Sequence, residues 1–190
     1  MAFFMSKLTS FPAGLLHPDI PPNMGLTIYG CNISELPADM GDVWATHKWP
    51  YLWLDYNNLR SLPASFSKMR LRRLSLVYNQ IEQLDDEMFA NFEFYRLRLT
   101  GNPLTRLPKT LGNLDNLQRL ALENTSISAL PSWVEEWWTS SVQSNRQGLA
   151  FSVMGTPLCA HNSSNPMCQP IPFVRANLYP FQVIAEQRVY

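Results

Sequence analysis

An excess of charge of either sign is missing from this sequence. Its 190 residues include 15 basic and 15 acidic side chains, giving zero net charge, and only 16% of the residues are charged. A global electrostatic footprint for nucleic acid is therefore absent, and no nucleic-acid partner is expected. Long hydrophobic runs are missing as well. None approaches the ~18 residues that a membrane helix needs, so this segment is expected to make no direct membrane insertion. Ala2-Phe3-Phe4-Met5 is too short for a signal-peptide core, and no basic residue precedes it. There is no glycine-rich phosphate loop, metal-ligand cluster or catalytic-triad pattern. The expectation is a non-catalytic chain with no metal and no cofactor. Apolar residues are plentiful at 46%, which excludes general disorder. The length suits one compact domain or one repeat array.

Self-similarity settles which of these applies. The pattern L-x-L-x-x-N-x-L-x-x-L-P is clearest from Leu52 to Pro63. It returns at Leu74, Leu76, Asn79, Ile81 and Leu84, and at Leu97, Leu99, Asn102, Leu104, Leu107 and Pro108. Leu120, Leu122, Thr125, Ile127, Leu130 and Pro131 follow, with threonine in the asparagine slot. Upstream, Leu26, Ile28, Cys31, Ile33, Leu36 and Pro37 fit with cysteine there, and Phe151, Val153, Thr156 and Leu158 form a degenerate last copy. Three of the five spacings between slot residues are 22 or 23, while 26 and 31 imply insertions near 41–49 and 132–148.

This framework resembles the leucine-rich repeat family over roughly residues 7–158. The resemblance implies an α/β fold. It would be a curved right-handed solenoid with a parallel sheet on its concave face and short helices or turns on its convex side. Residues 1–158 would form the array and 159–190 a C-terminal cap and tail. The residue types have physical reasons. In L-x-L both leucines of a short strand point inward. An inward asparagine after the strand can pair the backbone groups of the turning chain, and cysteine or threonine would do so more weakly. Phe66, Met69, Met88, Phe89, Phe92, Leu111, Leu114, Val134 and Trp137 are expected to close the core from behind. The stretch Ser132–Trp138 reads as one or two outer helical turns with its tryptophans in the core.

Leu8, Phe11 and Pro12 match the second half of a preceding repeat, whose strand would fall at or before Met1. Either the array starts mid-repeat in a longer protein, or Met1–Leu8 forms an irregular cap. The stretches Leu122–Trp133 and Gly155–Cys159 are similar to a large group of oomycete leucine-rich-repeat proteins. In that group the module often ends a longer polypeptide with membrane spans in its earlier part.

The same register sorts the outward positions of the sheet into two patches. Tyr29, Tyr51, Trp53, Tyr56 and Tyr78 form an aromatic one, and Arg73, Arg96, Arg98 and Arg119 a basic one. Arg73, Arg96 and Arg119 are each 23 residues apart, which stacks them on adjacent strands ~5 Å from one another. Each like-charged pair costs about 1 kcal/mol in water and more where solvent is excluded. On one reading the row selects carboxylates or phosphates, and the aromatics anchor a protein or peptide partner, acidic in character. On the other, Asp55 and Glu123 offset the charge and tyrosines stack on the guanidinium groups.

Three cysteines make an odd count. Cys31 falls in a framework slot and reads as a buried thiol. Cys159 and Cys168 flank a loop that a disulfide would close, which leans toward an oxidising compartment. His17 and His47 read as solvated or packed. Among the N-x-S/T sequons, at Asn32, Asn124 and Asn162, the last is the better glycosylation candidate. The leading expectation is a ligand-recognition module of a membrane-associated or secreted protein, on the extracellular or lumenal side. The alternative is a cytosolic scaffold, or the substrate-recognition arm of a larger enzyme such as a kinase or ubiquitin ligase.

Overall fold

A computed structural model describes residues 1–160, except 18, 22, 145 and 147, together with Cys168. The inward leucines of each repeat stack in register and pull the chain into a parallel-sheet solenoid. Strands β1 (Ala2–Phe4), β2 (Leu26–Tyr29), β3 (Lys48–Trp49), β4 (Leu52–Trp53), β5 (Arg70–Leu71), β6 (Arg73–Ser75), β7 (Arg96–Arg98), β8 (Arg119–Ala121) and β9 (Ala150–Ser152) form two sheets. The main sheet has seven strands in the order β1-β2-β4-β6-β7-β8-β9, and β3 pairs with β5 in a small second one. Leu26, Leu52, Leu74, Leu97, Leu120 and Phe151 lie side by side across the main sheet, as the repeat alignment requires.

Helix is sparse. The back of the solenoid is mostly turns, with 3-10 turns at Ala13–Leu15, Ala64–Lys68 and Pro157–Cys159. Helix α1 (Met40–Val43) fills the first insertion. Its Gly41 is required by close approach, because a Cβ there would stand 1.7 Å from the Ser65 carbonyl oxygen. Helix α2 (Ser132–Gln143) fills the second and runs 12 residues, longer than the expected one or two turns. Val134, Trp137 and Ser141 form its buried stripe. Small Ser141 extends that face past the last tryptophan, where apolar periodicity alone gives no signal.

The core lies between the sheet and this irregular back. Phe66, Phe89, Phe92 and Phe94 pack ring against ring at 5.0 to 6.1 Å. Trp44 and Trp49 lie 4.3 Å apart. Trp137 is buried against Phe151 at 5.8 Å, and its indole N–H donates to the Leu117 carbonyl. Every residue expected to close the core from behind is buried except Leu114, which is half-buried against it. His47 is packed inside, with Nε2 3.0 Å from the Ile20 carbonyl oxygen, whereas His17 is exposed.

The first strand departs from expectation. It is Ala2–Phe4 rather than at or before Met1, with Phe3 opposite Ile28. That register puts Ser6 in the asparagine slot, where its hydroxyl lies 3.1 Å from the Cys31 sulfur. Met1–Pro12 is thus itself a framework copy. Phe3 in a leucine position and Ser6 in the slot hide it from a leucine-and-asparagine pattern.

Buried asparagines tie the coils together. Asn79 Nδ2 donates to Leu54 O of the preceding coil and Leu76 O of its own, at 2.9 and 3.0 Å, and its Oδ1 accepts from Leu59 N. Asn57 and Asn102 repeat the pattern. Thr125 reaches only Leu122 O of its own coil. Cys31 is a buried free thiol, and Cys159 is bonded to Cys168. Apart from Cys159, Ala160 and Cys168, the expected cap and tail, including Asn162, lie outside the described residues.

Replacing Asn102 by Ala is expected to cost about 3 kcal/mol, since two buried carbonyls and one N–H lose their partner, against about 1 kcal/mol for Thr125→Ala. Urea denaturation of both variants checks this. Equal losses would contradict a ladder that bridges coils at Asn102 and not at Thr125.

Candidate functional site

The open face of the main sheet carries every candidate partner-binding residue. Its aromatic members divide into two groups. Tyr29 at the end of β2 and Tyr56 and Tyr78 just past their strands stand one per coil, with centroids 5.0 and 4.8 Å apart. Phe4 extends this ladder, 6.3 Å from Tyr29. Sequence reasoning missed Phe4 because it missed the first strand. Tyr51 and Trp53 stack on each other at 4.2 Å nearer the strand starts. Gly25 makes room for Tyr51, since a Cβ there would stand 2.1 Å from the ring.

The backbone under the ladder is strained. Met5, Gly30, Tyr56, Tyr78, Gly101, Asn124 and Gly155 each immediately precede the slot residue, and each has positive φ. Glycine and asparagine enter that conformation readily, whereas a tyrosine is disfavoured by about 1 kcal/mol or more. Tyr56 at φ 56° and Tyr78 at φ 50° are nevertheless held there. The recurrent glycine and asparagine of this column are the sequence signal for the turn. Burial pushes the Tyr56 hydroxyl up to about 12, with Tyr29, Tyr78 and Asp55 adding to the effect.

The arginine row forms as expected, with Arg73 opposite Arg96 and Arg96 opposite Arg119. Tyr95 lies against the first two charges. The Arg73 and Arg96 guanidinium carbons lie 5.2 and 5.3 Å from its ring centroid, close enough for cation–π attraction to both. Sequence reasoning overlooked Tyr95, whose only mark is an aromatic directly before Arg96. Both acidic residues expected to offset the row are close to it. Arg98 Nη1 is 4.0 Å from Asp55 Oδ2, and Glu123 accepts a hydrogen bond from the Thr100 hydroxyl. The charge on Arg119 is disfavoured first by burial and then by Arg98 and Arg96, with Glu123 opposing. The row's charge is therefore offset in part. It is cushioned but keeps four cations against two anions.

Asp55 is an outward position that does not meet solvent. It is 3% exposed and Val77 beside it 2%, because side chains one strand spacing apart cover each other. Asp55 accepts from Val77 N at 2.9 Å. Burial raises its pKa above the ordinary 3.8, with Arg98 the main opposing influence.

The sequon residues Asn32 and Asn124 are exposed. A groove of about 960 Å³ lies at the small sheet, lined by Lys48, Lys68, Arg70, Arg72 and Glu93 among others, and by no candidate residue. Its cations are exposed, and Lys68 is paired with Asp42. Among the described residues, no helix is long and apolar enough to cross a membrane. No family model matches the chain.

The folded state binds the Asp55 proton more tightly than the unfolded chain does. The contribution of Asp55 is therefore greatest below pH 3.8 and is lost as pH rises through the folded-state value. Asp55→Asn should gain stability relative to the parent as pH rises from 3 to about 7. Urea midpoints of both proteins across that range check the sign. A difference that does not move with pH would contradict it.

Proposed function

We propose that the chain is a non-catalytic interaction module of the leucine-rich repeat type, taking a protein or peptide on the open face of its sheet. The observation that carries this reading is the arginine row. Four arginines share one face of a chain with no net charge, beside a platform of aromatic rings. Arginine and large aromatics are the side chains that most often dominate binding energy at interfaces. The row supplies forks for carboxylates and the rings supply apolar area. Acidic partners fit best because two cations of the row have no matching anion within it. The Cys159–Cys168 bond favours an oxidising setting, and with it the ligand-recognition part of a membrane-associated or secreted protein.

Photocrosslinking tests the face. A benzophenone side chain is placed at Tyr78 on the open face and, separately, at Glu135 on exposed helix α2. Protein adducts are expected from Tyr78 and not from Glu135, and Arg96→Glu with Arg119→Glu should reduce them by roughly tenfold or more. Arg96 and Arg119 are chosen because Arg98 also serves Asp55. Adducts from Glu135 alone, or adducts unaffected by charge reversal in a folded variant, would overturn the reading.

A further inference from the structure

We propose that the groove at the small sheet binds an acidic polysaccharide, one that carries sulfate or uronate groups. The groove shares no residue with the open face, so the proposal does not depend on the function assigned to that face.

Unpaired charge of one sign is the first argument. Lys48 stands directly opposite Arg70 in the β3–β5 ladder. Residues paired in this way lie ~4.8 Å apart and point to the same side. Arg72, two residues on, shares that side, and its N–H extends the ladder by donating to Trp49 O at 3.3 Å. Like charges directly opposite each other destabilise a sheet. Yet among the described residues none of these three cations forms an ion pair. All three are exposed, and Lys68, tied to Asp42, adds a fourth cation to the same lining. Glu93 is the one acid among the described lining residues, and it is bridged to none of them. An anion from outside relieves the repulsion that this arrangement leaves in place.

The walls select the kind of anion. The groove encloses about 960 Å³, at the upper end of the ~300–1,000 Å³ of ligand sites, so its occupant is larger than a lone ion. Its floor is apolar but closed. Trp49, Met69, Leu71 and Phe92 are each at most 3% exposed. A ligand therefore meets cationic heads and the exposed amides of Asn23 and Asn91. A peptide anchors itself through apolar side chains in pockets, and a single-stranded nucleic acid through stacking on aromatic faces. The closed floor offers neither. A chain of hydroxyls and anions needs neither. Guanidinium forks match the oxygens of carboxylates and tetrahedral oxyanions, and side-chain amides both donate to and accept from hydroxyls.

Fluorescence anisotropy of labelled dextran sulfate and labelled polygalacturonate, titrated with the full chain, tests the proposal. Neutral dextran and polyglutamate of similar length are the controls. At least one acidic glycan is expected to bind roughly tenfold or more tightly than either control, and the tighter of the two identifies the anion. Arg70→Gln with Arg72→Gln should weaken that binding by a similar factor without lowering the melting temperature, because it removes like charge. Glu93→Gln should strengthen it. The same loss of charge on the open face, Arg96→Gln with Arg119→Gln, should change it little. Equal binding of polyglutamate would overturn the carbohydrate assignment, and equal binding of neutral dextran the charge argument. Binding that survives the groove variant and is lost in the open-face variant would move the glycan to the main sheet and overturn the proposal. If neither acidic glycan binds while Tyr78 still crosslinks proteins, the groove proposal fails and the interaction surface stands.

Discussion

The structure depends on buried asparagine side chains that join one coil to the next. A solenoid turns its backbone inside a hydrophobic core at every coil, and each turn exposes carbonyl and N–H groups that no strand partner satisfies. Asn57, Asn79 and Asn102 meet this requirement with both ends of the amide. Each donates to its own coil and to the preceding one, and each accepts from the preceding turn. Aspartate would lack the donors, and leucine would leave every group unpaired. The middle coils are therefore bound by directional bonds as well as by apolar contact. Toward the ends the ladder weakens, to Thr125 and Thr156 on one side and to Cys31 and Ser6 on the other. There, packing takes over. Trp137 and Trp138 cover Phe151, and Phe11 and Trp44 meet edge to face.

This distribution bears on the face that carries the aromatic ladder. Tyr56 and Tyr78 directly precede Asn57 and Asn79, the residues most completely bonded into the interior. A left-handed tyrosine persists only where the surrounding structure fixes its backbone more strongly than the strain opposes it. The asparagine bonds supply that fixation, since releasing the tyrosine turn would also release a buried amide. Gly101 and Asn124 relieve the strain in the next two coils. The Gly101 position is also occupied from above, because a Cβ there would lie 2.4 Å from the Tyr78 ring. The ladder ends at Tyr78 because its ring already covers the next coil.

Much of this was legible because the period is dictated by geometry. An inward leucine pair and an inward asparagine must recur once per coil, so alignment alone placed Leu26 beside Leu52 and Arg73 beside Arg96. It failed where another residue meets the same physical need. Phe3 fills a leucine position and Ser6 an asparagine position, so the first strand escaped notice. Ser141 fits a helix face through small size rather than apolarity, so α2 was read too short. The outward rows were placed correctly, but placement does not fix exposure. A period of two gives the side of the sheet on which a residue lies. It does not say whether a neighbour ~4.8 Å away covers it, as happens to Asp55 and Val77.

That lateral covering is also what gives the arginine row its chemical character. An exposed cation in water feels neighbours a strand away only weakly, at about 1 kcal/mol a pair. Half-buried cations feel them more strongly. Arg119 feels Arg96 and Arg98 through a face already dried by its own side chains, and burial disfavours its charge further. Tyr95 cushions Arg73 and Arg96 by offering its ring to both. Asp55 answers Arg98, at the expense of burying a carboxylate whose own protonation is thereby favoured. The face has therefore made its internal compensations and still holds a surplus of positive charge in partly excluded solvent. Such a surplus raises the energy of the free protein slightly and falls when an anion arrives. The proposed preference for acidic groups rests on the same crowding that makes the row unfavourable in isolation.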